Sequence, residues 1–260
     1  MFHKIGLSVR NRFSLLIYAL GYIGRLITAS FLFLIHAKKA SRKILVMQLL
    51  FTFVEALPIC CILAIGIGTS ILLLGNNFLL SIGQANLTYT LMALIIVREF
   101  GPILVAFVVT ARSATAIATE ISSNVVNHEI EAYIATGIDP ISHLAAPRFL
   151  GVTLSTFFLS IYFSIFGLIF PVFVVQFITP VNIGDYFNNL FSSIEIKMVF
   201  ISILKSLIFG MLISSSATFY GFNSGRASTE IPLAALRAVS SVFVLIILAD
   251  AFITVLSYIL

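Results

Sequence analysis

An all-α, polytopic membrane bundle is the fold class this sequence predicts, with about five transmembrane helices, an N-terminal interfacial helix and a short helix in a cytoplasmic hairpin. Three observations predict it. Of the 260 residues, 60% are hydrophobic and 10% charged, against about one quarter charged in a soluble domain. Five apolar runs, near 45–74, 91–121, 147–178, 198–220 and 237–259, are long enough to cross a ~30 Å hydrocarbon layer as helices. The formal net charge of +5 is concentrated near the N-terminus, where an anionic cytoplasmic leaflet attracts basic segments. A nucleic-acid surface and a separate soluble domain are not expected. The adjacent Cys60 and Cys61 offer neither metal-ligand spacing nor a disulfide framework and read as small apolar fillers.

A sixth apolar stretch, Phe13–Ile35, carries Gly21, Gly24 and Arg25 and is basic on both sides, with Lys4, Arg10 and Arg12 before it and Lys38, Lys39, Arg42 and Lys43 after it. A span would place one basic cluster outside, against the positive-inside rule, whereas a helix lying on the cytoplasmic face keeps both inside. Residues 1–43 are therefore set apart from a transmembrane domain at 44–260. Gly75–Thr90 contains no Lys or Arg, and Thr179–Lys197 only its last residue, so these are expected outside. The 122–146 hairpin and the 221–236 loop are then cytoplasmic, and the C-terminus external. No cleavable signal peptide, transit peptide or internal repeat is read in the chain, and a bacterial or organelle-encoded membrane product is expected.

Leu91–Ile121 covers 31 residues, about 46 Å of helix at ~1.5 Å per residue, so this span must tilt or project into the cytoplasm. Ala106, Thr110, Ala114 and Ala118 line one of its faces, and Ser202, Ser206, Gly210, Ser214 and Thr218 line one face of the fourth span. Such stripes let helices approach closely in lipid. Packing within one chain and a homodimer seam both remain open.

Val125–Thr136 is expected to form an amphipathic helix with Val126, Ile130, Tyr133 and Ile134 on one face and Glu129 and Glu131 elsewhere. Gly137 is placed to close it in the left-handed conformation, and Asp139 to cap a new helix that begins at Pro140. Such a helix either staples the loop or docks into a groove on a peripheral subunit.

REFGP at 98–102, the small-residue run to Glu120, EIEAYIATGIDP at 129–140, PR at 147–148, Lys205-Ser206 with Phe209-Gly210, Tyr220-Gly221 and Asp250 stand in an order that resembles the MlaE/YrbE-type permease family. The resemblance covers about residues 45–260. The family typically has Glu-Leu-Gly where Glu120-Ile121-Ser122 stands, Gln-Ile-Asp-Ala-Leu where Glu129–Tyr133 stands, and Met where Thr136 precedes the hairpin glycine. These departures fall on the expected partner surface. The resemblance implies a homodimeric permease of an ABC transporter in the bacterial inner membrane, with a plastid inner envelope as the lesser alternative. It implies two ATPase subunits gripping the coupling helices, an MCE-domain lipid-binding protein on the external face, a small cytoplasmic accessory subunit, and phospholipid as substrate. The chain itself would be no enzyme and carry no cofactor or metal; ATP and Mg would sit on the partner, since no GxxxxGK[ST] phosphate loop is present.

On this reading the ATPase-coupling residues are Glu120, His128, Glu129, Ile130, Glu131, Tyr133, Gly137, Asp139 and Pro140, and the substrate-pathway or gating residues are Arg98, Glu99, Arg112, Lys205 and Asp250. Ionisable groups in a span are costly and point to function. Arg98 and Glu99, about 100° apart on a helix, are not expected simply to neutralise each other. They either pair with Lys205 or Asp250 on other spans or meet lipid headgroups. Lys205 and Asp250 have opposite sign and suit a fixed interhelical pair or a gate. Arg112 can snorkel, pack helices or touch substrate; Glu55 is expected to pair locally, near a kink at Pro58. His128 and His143 read as surface residues. His128-Glu129 lacks the second histidine of a zinc-protease helix, and no GxSxG elbow occurs. Two rival readings use other features: an ion-coupled transporter relaying through Glu99, Lys205 and Asp250, and a membrane scaffold with no transport cycle.

Overall fold

The computed structural model describes the backbone of residues 2–36, 39–81, 83–84, 86–178, 180 and 182–259, and their side chains except at 2–16, 36, 39–41, 80, 81 and 86. The side chains of Lys4, Arg10, Arg12 and Lys39, and the whole of Lys38, lie outside the described residues. The helices are α1 (Phe2–His36), α2 (Lys39–Leu49), α3 (Leu57–Ser81), α4 (Asn86–Met92), α5 (Gly101–Val109), α6 (Thr115–Val126), α7 (Glu129–Ala135), α8 (Ala146–Val175), α9 (Ile183–Ser193), α10 (Ile196–Phe222) and α11 (Glu230–Ile259). Four π-helical segments, Leu50–Val54, Ala93–Phe100, Thr110–Ala114 and Ile141–Ala145, lie between them. No strand occurs among the described residues.

Six helical stretches are long and apolar enough to cross a membrane: Ile17–Ile35, Arg42–Leu79, Leu87–Val126, Ile141–Val175, Ile196–Phe222 and Glu230–Ile259. Five correspond to the expected spans. The first is the segment read as interfacial, and it too has the length and apolar composition of a span. Leu26 of α1 packs in one cluster with Ala145 and Phe149, and Ala29 and Phe33 pack in another with Ala146. Tyr22 packs edge-on to Phe219 at the end of α10. Among the described residues, α1 thus packs against the start of α8 and the end of α10.

The third stretch is the central one. It runs unbroken through α4, a π segment, α5, a second π segment and α6, and is the most buried of the six. Its 40 residues span about 60 Å, so it projects from the bilayer and ends at Val126 rather than Ile121. Arg42, Lys43, Arg148, Arg226 and Arg237 gather toward the hairpin face, while Lys197 is the one basic residue at the start of α10 on the other. The hairpin face is cytoplasmic by the positive-inside rule.

Both small-residue stripes are buried inside the chain, so they serve intrachain packing. At Gly210, an added Cβ would collide with Thr156 Oγ1 and sit 2.6 Å from Thr153 Cα on α8. At Gly221, it would approach Ile121 Cβ to 2.8 Å. Thr156 Oγ1 donates to Ser206 O at 3.2 Å across the same seam. In lipid, this contact substitutes for the hydrophobic drive that water supplies elsewhere.

Two local features depart from the sequence reading. The hairpin helix begins at Glu129, and Val126 belongs to α6, because His128 takes a left-handed conformation (φ 60°) that stops one helix and starts the next. The 179–197 segment, read as a loop, contains α9. Asn182 caps it by accepting from Gly184 N at 3.0 Å, and the Tyr186 hydroxyl donates to Leu168 O at 2.5 Å. Burial pushes the Tyr186 phenol above its ordinary range, which keeps that donor proton in place. Replacing Gly210 with Ala should destabilise the chain by about 1–3 kcal/mol through overpacking against backbone. Thermal unfolding in detergent is the check, and an unchanged midpoint would contradict the packing described.

Candidate functional site

Three elements bring the membrane charges together. The π segment Ala93–Phe100 carries Arg98 and Glu99, α10 carries Lys205, and α11 carries Asp250. Lys205 has no solvent exposure, and its ammonium meets Glu99 Oε2 at 2.5 Å, Asp250 Oδ1 at 2.8 Å and Thr254 Oγ1 at 2.8 Å. That number of contacts matches the three donors of a lysine. The Asp250 contact has ion-pair distance without the alignment of a hydrogen bond. The expected Lys205–Asp250 pair is therefore present, and Glu99 joins it.

Arg98 pairs with neither Lys205 nor Asp250. Its Nε lies 3.1 Å from Glu99 Oε1, its Nη2 donates to Ser257 Oγ at 2.6 Å, and its guanidinium rests 4.6 Å from the Tyr258 ring centre. The neighbours thus do neutralise each other, against the helical-angle argument. An i→i+5 segment holds more residues per turn than an α-helix, so adjacent side chains diverge by less than about 100°. The cluster holds two cations and two carboxylates and is neutral as a whole.

Arg112 stands apart from it. From the π segment Thr110–Ala114 it reaches Glu55, at the end of the facing π segment, with Nη2 at 2.6 Å from Oε2 and Nη1 donating to the Glu55 carbonyl. Glu55 therefore pairs across helices rather than locally. Thr52 and Ser113 share a hydrogen bond at 3.0 Å between the same segments, and Gln48 Nε2 donates to Thr52 at 2.7 Å.

Glu120 does not face the hairpin helix; its Oε1 takes Arg148 Nη2 at 2.6 Å, while Arg148 Nη1 donates to Leu144 O at 2.9 Å. Sequence reasoning noted Arg148 in a motif without giving it a role. Its buried guanidinium at the start of α8 is held by partners that no local pattern announces.

His128, Glu129, Ile130, Glu131, Tyr133, Gly137, Asp139 and Pro140 all lie in one hairpin. Gly137 closes α7 at φ 77°, with Ile138 N donating to Tyr133 O and Gly137 N to Ile134 O, the Schellman arrangement. Asp139 Oδ2 accepts from Ser142 N at 3.2 Å and Ser142 Oγ at 2.6 Å, as a cap should. Glu131 meets His128 Nδ1 at 2.8 Å and Arg226 Nη2 at 2.6 Å, which ties α7 to the loop after α10. His143 packs against the Tyr133 ring at 5.5 Å. No residue of α7 is buried, and Ile134 is 61% exposed on this aqueous face. A cavity of about 500 Å³ opens between α7 and α1, lined by Tyr18, Tyr22, Arg25, Ile134 and Ile138 among others. Sequence reasoning missed Arg226 and the N-terminal wall of this groove.

A multi-pass helical bundle with a neutralised intramembrane charge cluster and one structured cytoplasmic hairpin standing clear of it is the build of a membrane permease subunit. The comparison with known proteins gives the class a family. The chain belongs to the MlaE permease family, whose model, described as Permease MlaE, matches residues 45–256. It is 26% identical to a probable ABC transporter permease protein of Rickettsia typhi, over 81% of this chain and 82% of that one. It is 24% identical to the intermembrane phospholipid transport system permease protein MlaE of Haemophilus influenzae, over 83% of each. A chloroplastic protein of Arabidopsis thaliana, trigalactosyldiacylglycerol 1, is 23% identical over 61% of this chain and 45% of its own length.

Changing Lys205 to Met removes the ammonium between two carboxylates and should cost about 3–5 kcal/mol, the penalty for a buried charge left uncompensated. The double change that adds Asp250→Asn, and so leaves Arg98 paired with Glu99, should recover much of the loss. Thermal unfolding of the reconstituted protein measures both.

Proposed function

We propose that this chain is the membrane permease subunit of an ABC transporter that moves phospholipid between the bacterial inner membrane and an MCE-type carrier. ATP and Mg bind a separate ATPase, and this chain supplies the lipid path and the mechanical coupling. The observation that carries the reading is α7, a short helix held at both ends and unburied along its length, with apolar Ile134 turned to water. An exposed apolar side chain on a pinned helix suits docking into a partner's groove. The phospholipid substrate rests on kinship with a Haemophilus influenzae permease named for intermembrane phospholipid transport, and the MCE carrier on the motifs shared with the MlaE/YrbE-type family.

The coupling route follows from the contacts. An ATPase that shifts α7 pulls on α6 through the His128 turn and on the α10–α11 connection through the Glu131–Arg226 pair. The far halves of α10 and α11 hold Lys205 and Asp250, so the motion reaches the charge cluster beside the lipid path. A second copy completes the permease along α11, the least buried of the six apolar helices, and a lipid cavity lies between the copies on the external side. A small accessory subunit binds the cytoplasmic assembly.

Exchanging Glu129 for Lys together with Ile134 for Asp alters only exposed side chains. It should abolish co-purification of the ATPase from native membranes while leaving the permease folded. Mass spectrometry of the unmodified complex should find an ATPase, an MCE protein and phospholipid. A double variant that keeps its ATPase would sink the coupling role of α7.

A further inference from the structure

A second cavity, of about 410 Å³, lies between α2, α6 and the start of α8. Its cytoplasmic rim carries Lys43, Arg148 and Glu120, and its walls are Met47, Phe51 and Ile117 with Ala116 and Ile44. Two cations and one carboxylate leave a net positive rim. Arg148 is spoken for by Glu120 and Leu144, whereas Lys43 has no acidic partner among the described residues. Met47 and Phe51 are exposed on the outer surface of the bundle, so the cavity opens sideways toward lipid. An amphiphile with an anionic head and an apolar tail fits such a rim and floor; a free anion would leave the apolar walls unused.

A second observation points to the same place. Above the cavity, Gln48, Thr52 and Ser113 form a polar seam that ends at the Arg112–Glu55 pair, eight residues (about 12 Å) from Glu120. That pair is partly exposed, with side-chain accessibilities of 31% and 50%, at the surface of an apolar bundle. An exposed ion pair there needs polar cover. Both π segments that shape this seam face each other across it, and π turns concentrate at functional positions.

We infer that the α2–α6–α8 groove is a binding site for an anionic glycerophospholipid of the cytoplasmic leaflet. Its phosphate meets Lys43 at the rim beside Arg148, and its acyl chain lies on Met47 and Phe51 below the Arg112–Glu55 pair. The site stands whether or not the chain moves lipid.

The chain contains no tryptophan, so Met47→Trp provides a sole fluorophore at the mouth of the groove. Phe158→Trp, on the lipid-facing side of α8, provides the reference. The full-length protein is reconstituted in phosphatidylcholine vesicles containing phosphatidylglycerol, with one lipid or the other brominated in its acyl chains. Brominated phosphatidylglycerol should quench the position-47 reporter with about a fivefold preference, as one lysine near an anionic surface supplies, and show no preference at 158. Adding Lys43→Gln, a change to an exposed residue, should remove the preference at 47. Equal quenching at both reporters, or a preference that survives Lys43→Gln, would overturn the site. Loss of the preference in buffer containing inorganic phosphate would overturn the lipid assignment in favour of a free anion. A position-47 reporter shielded from every brominated lipid would overturn it in favour of a second protein copy covering the groove.

Discussion

A lysine ammonium without solvent exposure, deep in an apolar bundle, must be fully coordinated, and Lys205 is. Its three partners come from two other elements: Glu99 from the central helix, and Asp250 and Thr254 from α11. One cation cannot balance two carboxylates, so Arg98 supplies the second positive charge and is itself fixed by Ser257 and Tyr258. Lipid gives helices no hydrophobic reason to associate. On the external half of the molecule, the relative placement of the central helix, α10 and α11 is therefore set by charge neutralisation. On the cytoplasmic half the same helices meet through small residues, where contact distance does the work that charge does above.

The positions of the charges depend on backbone geometry that is not written in residue types. Arg98 with Glu99, and Arg112, sit on π segments, and Glu55 follows directly on a third. Inside hydrocarbon every backbone amide needs a partner. A π turn rotates side chains while keeping the backbone bonded, which a kink at Pro or Gly does not. No sequence signal distinguishes such a turn from an α-helix, and the expectation that Arg98 and Glu99 diverge failed on that account. The Lys205–Asp250 pair was legible because opposite charges in separate apolar spans have few other ways to be satisfied. Gly137 and Asp139 were legible because their chemistry is local. The His128 turn was not, since a left-handed residue other than glycine is uncommon. Arg148 and Arg226 escaped notice because the acids that hold them lie on other elements, the latter 95 residues away. The α9 helix was recoverable: Ile183, Tyr186, Leu190 and Ile194 recur at helical spacing behind an Asn cap, a pattern masked by reading the whole segment as a loop.

The two ends of α10 explain how one helix can serve a hairpin and a charge cluster together. At Gly210 it passes too close to Thr153 and Thr156 of α8 for a side chain to fit. This point lies about 18 Å from the Phe222 end and about 7.5 Å from Lys205, at ~1.5 Å per residue. A stiff helix tilting about that contact moves Lys205 by less than half the displacement of its cytoplasmic end, and in the opposite sense. A shift of about 2 Å at the hairpin thus becomes somewhat under 1 Å at the ammonium. A change of that size is large against the 2.8 Å separation of the Lys205–Asp250 ion pair. Close-packed seams resist continuous deformation, so on the coupling proposed above α10 would answer a hairpin displacement by tilting rather than bending. On that coupling, Gly210 would be the fulcrum through which the charge cluster feels a cytoplasmic motion.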